Sequence, residues 1–200
     1  MNSAIFKNST ILTNKQSKQL EDLISLNNSS NASVKLLYQG SIDGFSFRNY
    51  HSKCANTQAS LIVAKSKNNN IFGAYTEAFC SINAGSIYDQ QDANAFLFSL
   101  VNRYNRSVIM NIINPKYAVR FSSYDGPEFL QSLQLLDYSS QNGVGHMRSL
   151  RGNFPIPSFL DTNEPSNNVL DFFGGYYNFE LFDIELYSVS FIDRKSLIIF

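Results

Sequence analysis

Short apolar segments alternate with turn residues along much of the chain, and this pattern favours a fold built mainly from β-strands. The clearest segment covers residues 179–191, where the side chains alternate with the period of two that a half-buried strand requires. Turn residues recur about every 8–12 positions, as in an all-β sandwich. The strands predicted in this way are residues 34–38, 61–65, 71–75, 95–101 and 179–191.

The aromatic content supports the same fold class. The chain has 17 phenylalanines and 11 tyrosines, and both residue types favour the pleated, half-buried surface of a sheet. Hydrophobic residues make up 44% of the 200 residues, which is enough for one sizeable core. The sequence therefore predicts an α+β, β-dominated fold: a two-sheet antiparallel β-sandwich flanked by short helices.

Two segments have helical patterns. In residues 13–26, Leu20, Leu23 and Ile24 share one face, and Thr13 with Gln16 matches a capping box. A second short helix is predicted over residues 45–53, after a turn at residues 41–44. Three weaker expectations concern later parts of the chain: residues 107–113 and 116–121 pair with each other, residues 129–137 form a strand, and residues 142–168 form a surface loop.

Charge and hydropathy exclude several classes of protein. The formal net charge is zero, whereas nucleic-acid binders and proteins held electrostatically on membranes need a basic excess. The first residues contain no apolar run of about seven or more, which a secretory signal requires. The weakly charged stretch 107–115 is too short to span a bilayer. We therefore expect a cytoplasmic protein with no nucleic-acid partner and no membrane insertion.

The two cysteines, Cys54 and Cys80, allow either one disulfide or two free thiols. Free thiols in a reducing compartment fit the lack of a secretory signal better. Cys54 follows His51 at the spacing of one helical turn, which would suit a metal. Cys80 and His146 are the remaining cysteine and histidine, however, and they lack paired spacing, so we expect no metal site.

No pattern of catalytic residues stands out. The Gly-x-Ser-x-Gly elbow and the glycine-rich phosphate-binding loops are absent. A Cys54–His146 pair lacks the flanking signature of known thiol nucleophiles. We expect a protein that is not an enzyme and has no cofactor. The nearest acidic groupings are interpreted as solvated charges rather than as acid–base pairs: Asp89 with Asp92, and Glu180 with Asp183 and Glu185.

Residues 172–179, with the sequence FFGGYYNF, form the densest aromatic segment. Such a segment is either an exposed binding patch or part of the core where a loop enters the last strand. Gly174 and Gly175 allow the chain to turn at this point. We favour core packing.

Several segments, taken in order, resemble the TLDc domain family. Residues 36–46 read LLYQGSIDGFS and are followed by YHSKC at 50–54, FGAY at 72–75 and DANAFLFSL at 92–100. FFGGYYNF at 172–179 and FDIELY at 182–187 extend the resemblance, which covers residues 34–191. On this basis, residues 34–200 are interpreted as a TLDc-like domain. Residues 1–33 are interpreted as an N-terminal extension with a helix near residues 13–26.

The resemblance implies a β-sandwich of two antiparallel sheets with no established catalytic site. It also implies protection against oxidative stress and, in several members, binding to the vacuolar proton-pumping ATPase (V-ATPase). The residues that match the family motifs are expected to be structural, with His51 and Cys54 tying the first helix to the sheet. They are Asp43, Gly44, Phe45, His51, Cys54, Gly73, Tyr75, Asn94, Phe96, Gly174, Tyr177 and Phe179.

The leading hypothesis is a non-enzymatic protein-interaction domain in a eukaryotic cell, whose partner is a protein complex, first of all V-ATPase subunits. One alternative is a structural component of another large assembly, cytoskeletal or ciliary. Another is a thiol-based antioxidant. This last function would need Cys54 or Cys80 to be exposed and to have a lowered pKa.

Overall fold

A computed structural model provides the fold of this chain. The residues that it describes are 5–28, 31–80, 87–129, 133–136, 144–147, 172–174 and 178–192. The helices in this part are α1 (Asn14–Asn28), α2 (Gly40–Asp43), α3 (Phe47–Cys54) and a 3₁₀ helix (Pro115–Tyr117).

The strands form two antiparallel sheets. Their bounds are β1 (Asn31–Gln39), β2 (Ser60–Ser66), β3 (Ile71–Thr76), β4 (Ile87–Gln90), β5 (Phe96–Val101), β6 (Val108–Asn111), β7 (Val119–Ser122), β8 (Glu128–Phe129), β9 (Leu133–Leu135), β10 (Val144–Met147) and β11 (Asn178–Ile192). Sheet A has the order β1–β11–β2–β3–β5–β6, and sheet B has the order β4–β7–β8–β9–β10. The predicted two-sheet, β-dominated sandwich with short helices is confirmed.

Strand β11 joins the two sheets. Its residues 178–180 pair with β10 of sheet B, whereas residues 181–192 pair with β2 and β1 of sheet A. The register with β2 shifts between Leu181 and Asp183. This irregularity lies where the strand leaves sheet B, and it changes the faces on which the following side chains lie.

The central strands of sheet A, β2, β3 and β5, are buried on both faces. On β2, Ile62 and Ala64 point into the inner core, the apolar cluster between the sheets, while Leu61 and Val63 enter a second cluster on the opposite face, the outer core. Two covered faces explain why β2 is a nearly continuous apolar run rather than an alternating one.

The outer core is covered by α1 and by the N-terminal arm, residues 5–13. Leu20 and Ile24 of α1 and Phe6 and Ile11 of the arm are all buried against sheet A. Phe6 meets Tyr187 of β11 edge to face, with ring centroids 5.2 Å apart. The segment predicted to precede the domain is therefore packed on the sandwich.

The start of α1 matches the sequence prediction. Gln16 Oε1 accepts a hydrogen bond from the Thr13 N–H at 2.8 Å, and Thr13 Oγ1 accepts one from the Gln16 N–H at 3.4 Å. These are the two reciprocal bonds of a capping box. The predicted helices near residues 13–26 and 45–53 are both confirmed, as α1 and α3.

The predicted pairing of residues 107–113 with 116–121 is wrong. Strand β6 pairs with β5 in sheet A, whereas β7 pairs with β4 and β8 in sheet B. Between them lies the 3₁₀ helix, which Asn114 caps by accepting a hydrogen bond from the Lys116 N–H at 3.2 Å. The segment therefore carries the chain from one sheet to the other and does not form a hairpin.

Other local predictions need smaller corrections. The turn expected at residues 41–44 is the short helix α2, and the strand expected at 129–137 is divided between β8 and β9. The expected loop at 142–168 contains β10, and the remainder of that stretch lies outside the described residues. Strand β4, with the sequence IYDQ, was not predicted because it is short and half polar.

Candidate functional site

The motif residues Asp43, Gly44 and Phe45 lie in the connection between β1 and α3. Asp43 Oδ2 accepts a hydrogen bond from the Gln39 N–H at 2.9 Å, and Asp43 Oδ1 is 3.1 Å from Lys53 Nζ. The backbone hydrogen bond, followed by the contact with Lys53, lowers the pKa of Asp43. Gly44 has a φ of +89°, which favours glycine, and Phe45 packs against the inner core.

His51 connects α3 to the loop that follows β7. Its Nε2 atom is 2.7 Å from the carbonyl oxygen of Asp125. Because a carbonyl only accepts, Nε2 carries the proton. Burial lowers the pKa of His51, against the opposing effect of the Asp125 and Ser122 carbonyls. The imidazole is therefore a neutral tie between helix and sheet at pH 7.

Cys54 and Cys80 are free thiols in the structure, and both side chains are buried, with exposed fractions of 1% and 2%. Their Sγ atoms are 3.5 Å apart. The hydrogen bond with Cys80, together with burial, raises the pKa of the Cys54 thiol. A raised pKa disfavours the thiolate, the reactive form. This environment is the opposite of what a sacrificial thiol needs.

The motif residues Gly73, Tyr75 and Phe96 lie in the centre of sheet A. A Cβ atom on Gly73 would be 1.9 Å from the carbonyl oxygen of Ile62 on the neighbouring strand. A glycine inside a strand is typical of a bulge or of a close backbone approach, and the structure shows the close approach. Tyr75 stacks on Phe96 with ring centroids 5.1 Å apart, so both motif aromatics contribute to the outer core.

Asn94 belongs to a hydrogen-bond network around the buried carboxylate of Asp92. Asp92 Oδ2 accepts from Thr76 Oγ1 and from the Glu77 N–H, both at 2.6 Å, and Asp92 Oδ1 accepts from the Asn94 N–H at 2.8 Å. Asn94 Nδ2 also donates to Glu77 Oε2 at 2.9 Å. The interpretation of Asp92 as a solvated charge is therefore wrong, because this carboxylate organises the connection from β3 to β5.

The aromatic segment packs in the core wherever it is described. Phe172, Phe173 and Phe179 are buried in the inner core, and Phe179 meets Phe72 edge to face at 5.3 Å. A Cβ atom on Gly174 would lie 1.8 Å from Phe179 Cγ, so the chain needs glycine there. Core packing was the favoured interpretation, and it is confirmed for these residues. The motif residue Tyr177 lies outside the described residues.

Two acidic side chains of β11, Asp183 and Glu185, are buried on the face of sheet A that carries the outer core, with exposed fractions of 2% and 0%. Glu185 accepts hydrogen bonds from Ser9 Oγ (2.7 Å), from the Thr10 N–H (2.7 Å), from Thr10 Oγ1 (3.1 Å) and from the Tyr187 hydroxyl (2.6 Å). Burial and the charge of Glu185 raise the pKa of Tyr187. We call Asp183, Glu185 and their hydrogen-bond partners the acidic cluster.

Asp183 completes the acidic cluster from the α2 side. Its carboxylate accepts from the Ser41 N–H (2.9 Å), from Ser41 Oγ (2.8 Å) and from Gln39 Nε2 (2.8 Å). Thr10 Oγ1, 3.2 Å away, shares its single proton between Asp183 and Glu185. The interpretation of Asp183 and Glu185 as solvated charges is therefore wrong. Their burial could not be predicted locally, because the irregularity in β11 and the distant N-terminal arm create their environment. The available signal was Asp-x-Glu placed between the apolar residues Phe182, Ile184 and Leu186.

Within the described part of the chain, the arrangement does not bring an acid, a base and a nucleophile together. The acidic cluster binds hydroxyls and N–H groups on the outer-core side, whereas Cys54 and Cys80 lie in the inner core. Among the described residues, no three His, Cys, Asp or Glu side chains are placed to hold a metal ion. In the same part of the chain, no helix is long and apolar enough to cross a membrane.

A comparison with protein-family models gives a match between residues 5–190 and the TLDc domain. The chain belongs to the TLDc domain family. The resemblance inferred from the motifs is thereby confirmed. The match to the TLDc model includes the N-terminal arm and α1, while the domain boundary at residue 34 stays a prediction. A comparison with curated proteins gave no match.

Proposed function

We propose that this TLDc protein is a non-enzymatic interaction domain of the cytoplasm that binds and regulates the V-ATPase and contributes to protection against oxidative stress. The observation that carries the proposal is the family match, which spans nearly the whole chain. The fold supports a binding role, because a sandwich with two packed cores presents a defined outer surface.

Several described side chains that could perform chemistry have structural partners instead. The carboxylates of Asp92, Asp183 and Glu185 accept several hydrogen bonds each from neighbouring segments. The imidazole of His51 joins α3 to a loop, and the Cys54 thiol has a raised pKa. These contacts favour a non-catalytic function and disfavour the thiol-based antioxidant.

Two pairs of exposed apolar residues are candidate contact points. Ile42 and Phe182 are 77% and 61% exposed. Ile42 follows Ser41 in the chain, and Phe182 precedes Asp183. The Ser41 N–H donates a hydrogen bond to the Asp183 carboxylate at 2.9 Å, so Ile42 and Phe182 lie in one region. The second pair is Ile109 on the edge strand β6 and Ile113 just after it.

The test is a binding measurement between the purified chain and the catalytic sector of the proton pump from the same cells. We expect a Kd below about 10 µM. We also expect the affinity to fall at least tenfold in a double variant of one exposed pair. The two double variants are Ile42→Asp with Phe182→Asp, and Ile109→Asp with Ile113→Asp. The other double variant is the matched control. Absence of binding by the wild-type chain contradicts the proposal.

A structural role in another large assembly predicts a different result from the same cells. Affinity purification of the tagged chain would then recover tubulin or another filament protein in place of the pump subunits. The exposed apolar pairs would serve equally well in such an interface. The pump is preferred because the family resemblance implies it.

A further inference from the structure

Two sulfur atoms are in contact at the end of α3. Cys54 Sγ is 3.5 Å from Cys80 Sγ, and both side chains belong to the inner core. The chain has two cysteines in all. Within one molecule, therefore, no other disulfide competes with this pair.

The backbone holds the two cysteines side by side. The Asn56 N–H donates to the Cys80 carbonyl at 2.9 Å, and the Cys80 N–H donates to the Thr57 carbonyl at 2.9 Å. The Thr57 N–H in turn donates to the Cys54 carbonyl at 3.0 Å. Because a disulfide has an S–S distance of about 2.05 Å, the sulfur atoms need only a small further approach. Rotation of the two side chains would have to close this gap while the backbone bonds hold the two cysteines in place.

The surroundings of Cys54 and Cys80 determine which reagents can reach their sulfur atoms. Cys54 lies beside the buried Tyr50 and is shielded from bulky molecules. A small neutral oxidant can enter such a site during local opening of the structure. The raised pKa of Cys54 keeps the reaction slow, which suits a structural bond better than a peroxide scavenger.

We propose that Cys54 and Cys80 form a reversible intramolecular disulfide when the protein meets hydrogen peroxide, and that this bond locks the end of α3 to the segment after β3. One thiolate attacks a peroxide oxygen and becomes a sulfenic acid, while the other oxygen leaves as water after taking up a proton. The second sulfur then attacks the sulfenic sulfur, and a second water leaves. Two sulfur atoms lose two electrons, and the peroxide gains them. A thiol reductant that reaches the bond during local opening of the structure restores both cysteines by exchange and is itself oxidised to its disulfide.

The bond would constrain the unfolded chain. It would join two residues that are 26 positions apart, and cross-links of this span stabilise proteins mainly through the unfolded state. We expect the oxidised protein to have a Tm higher by about 5–10 °C than the reduced protein. The inference does not depend on the proposed binding function.

The test treats the folded 200-residue chain with hydrogen peroxide, removes the oxidant with catalase, and measures the intact mass. We expect a monomer that has lost about two daltons, one hydrogen atom from each thiol. When the oxidised protein is denatured, an alkylating reagent should modify neither cysteine. After reduction with dithiothreitol, the reagent should modify both cysteines, and the reduced protein should have the original Tm. Cys54→Ser and Cys80→Ser are the matched variants, and in each the loss of two hydrogen atoms should be absent.

Three results would overturn the proposal, and all come from the wild-type chain, so none depends on whether a variant folds. Mass increases of about 16 or 32 daltons without loss of hydrogen would mean stepwise oxidation of a single thiol. Covalent dimers would mean bonds between chains. Formation of the disulfide in urea but not in the folded protein would mean that the native contact does not support the reaction.

Discussion

Glu185 shows at the scale of one residue how this TLDc domain stabilises a charge inside the protein. A buried carboxylate is unfavourable unless hydrogen bonds replace its water. Here hydroxyl groups and backbone N–H groups of the N-terminal arm and of β11 provide them. The carboxylate thus connects two segments that are far apart in the chain.

The variant Glu185→Gln is expected to lower the free energy of unfolding by about 2–4 kcal/mol. The amide keeps the size of the side chain, but its NH₂ group cannot accept the hydrogen bonds that reach one of the carboxylate oxygens. Urea denaturation measures the difference. Glu180→Gln on the same strand is the matched control, because Glu180 is exposed and forms a surface ion pair with Lys67, and it should cost less than about 1 kcal/mol. Similar losses in both variants would contradict the structural role of Glu185.

His51 predicts a dependence of stability on pH. Its pKa in the folded protein is lowered by burial, whereas in the unfolded chain it is about 6.5. Between these two values the unfolded state binds more protons, so stability falls as the pH drops below about 6.5. Urea midpoints at about pH 7.5 and about pH 5.5 measure the loss. The loss should be smaller in His51→Gln, and an unchanged loss in that variant would assign the effect to other groups.

At the scale of single elements, the contact between β2 and β3 depends on Gly73. The variant Gly73→Ala is expected to cost more than about 3 kcal/mol or to prevent folding, because the new methyl group would meet the Ile62 carbonyl oxygen of the neighbouring strand at 1.9 Å. The yield of folded protein and a urea titration test this. Ala74→Gly at the adjacent buried position is the control, with an expected cost of about 1 kcal/mol. A stable Gly73→Ala protein would mean that the two strands can separate at this point.

The elements also show which features could be predicted from the sequence. The capping box of Thr13 and Gln16 was predictable because its partners are three residues apart. The continuous apolar strands and the TLDc motifs were predictable because each of them lies within a short stretch of sequence. The pairing of β6 and β7 was mispredicted because strand partners depend on the whole topology. The buried state of Asp183 depends on Thr10, which is 173 positions away in the chain, and no local pattern contains that information.

At the scale of the whole molecule, the N-terminal arm and α1 cover one face of sheet A. A chain that begins at residue 34 would expose Leu61, Val63 and Tyr187 of the outer core and would leave Glu185 without the arm. We expect this shortened chain to bind a hydrophobic dye and to lose cooperative thermal unfolding. Circular dichroism and dye fluorescence measure both properties. Cooperative unfolding at a Tm close to that of the full chain would instead support a domain boundary at residue 34.

The position of β11 has a consequence for how the protein is made. Both sheets need this strand, and its partner β1 is close to the other end of the sequence, with Asn31 paired to Ile192. During translation, β1, β2 and β10 leave the ribosome before β11, the strand that pairs with all three. The nascent chain therefore has unpaired strand edges in both sheets until residues 178–192 emerge. The fold of this domain is therefore complete only after β11 has been translated, and in the interval the exposed strand edges are natural substrates for chaperones.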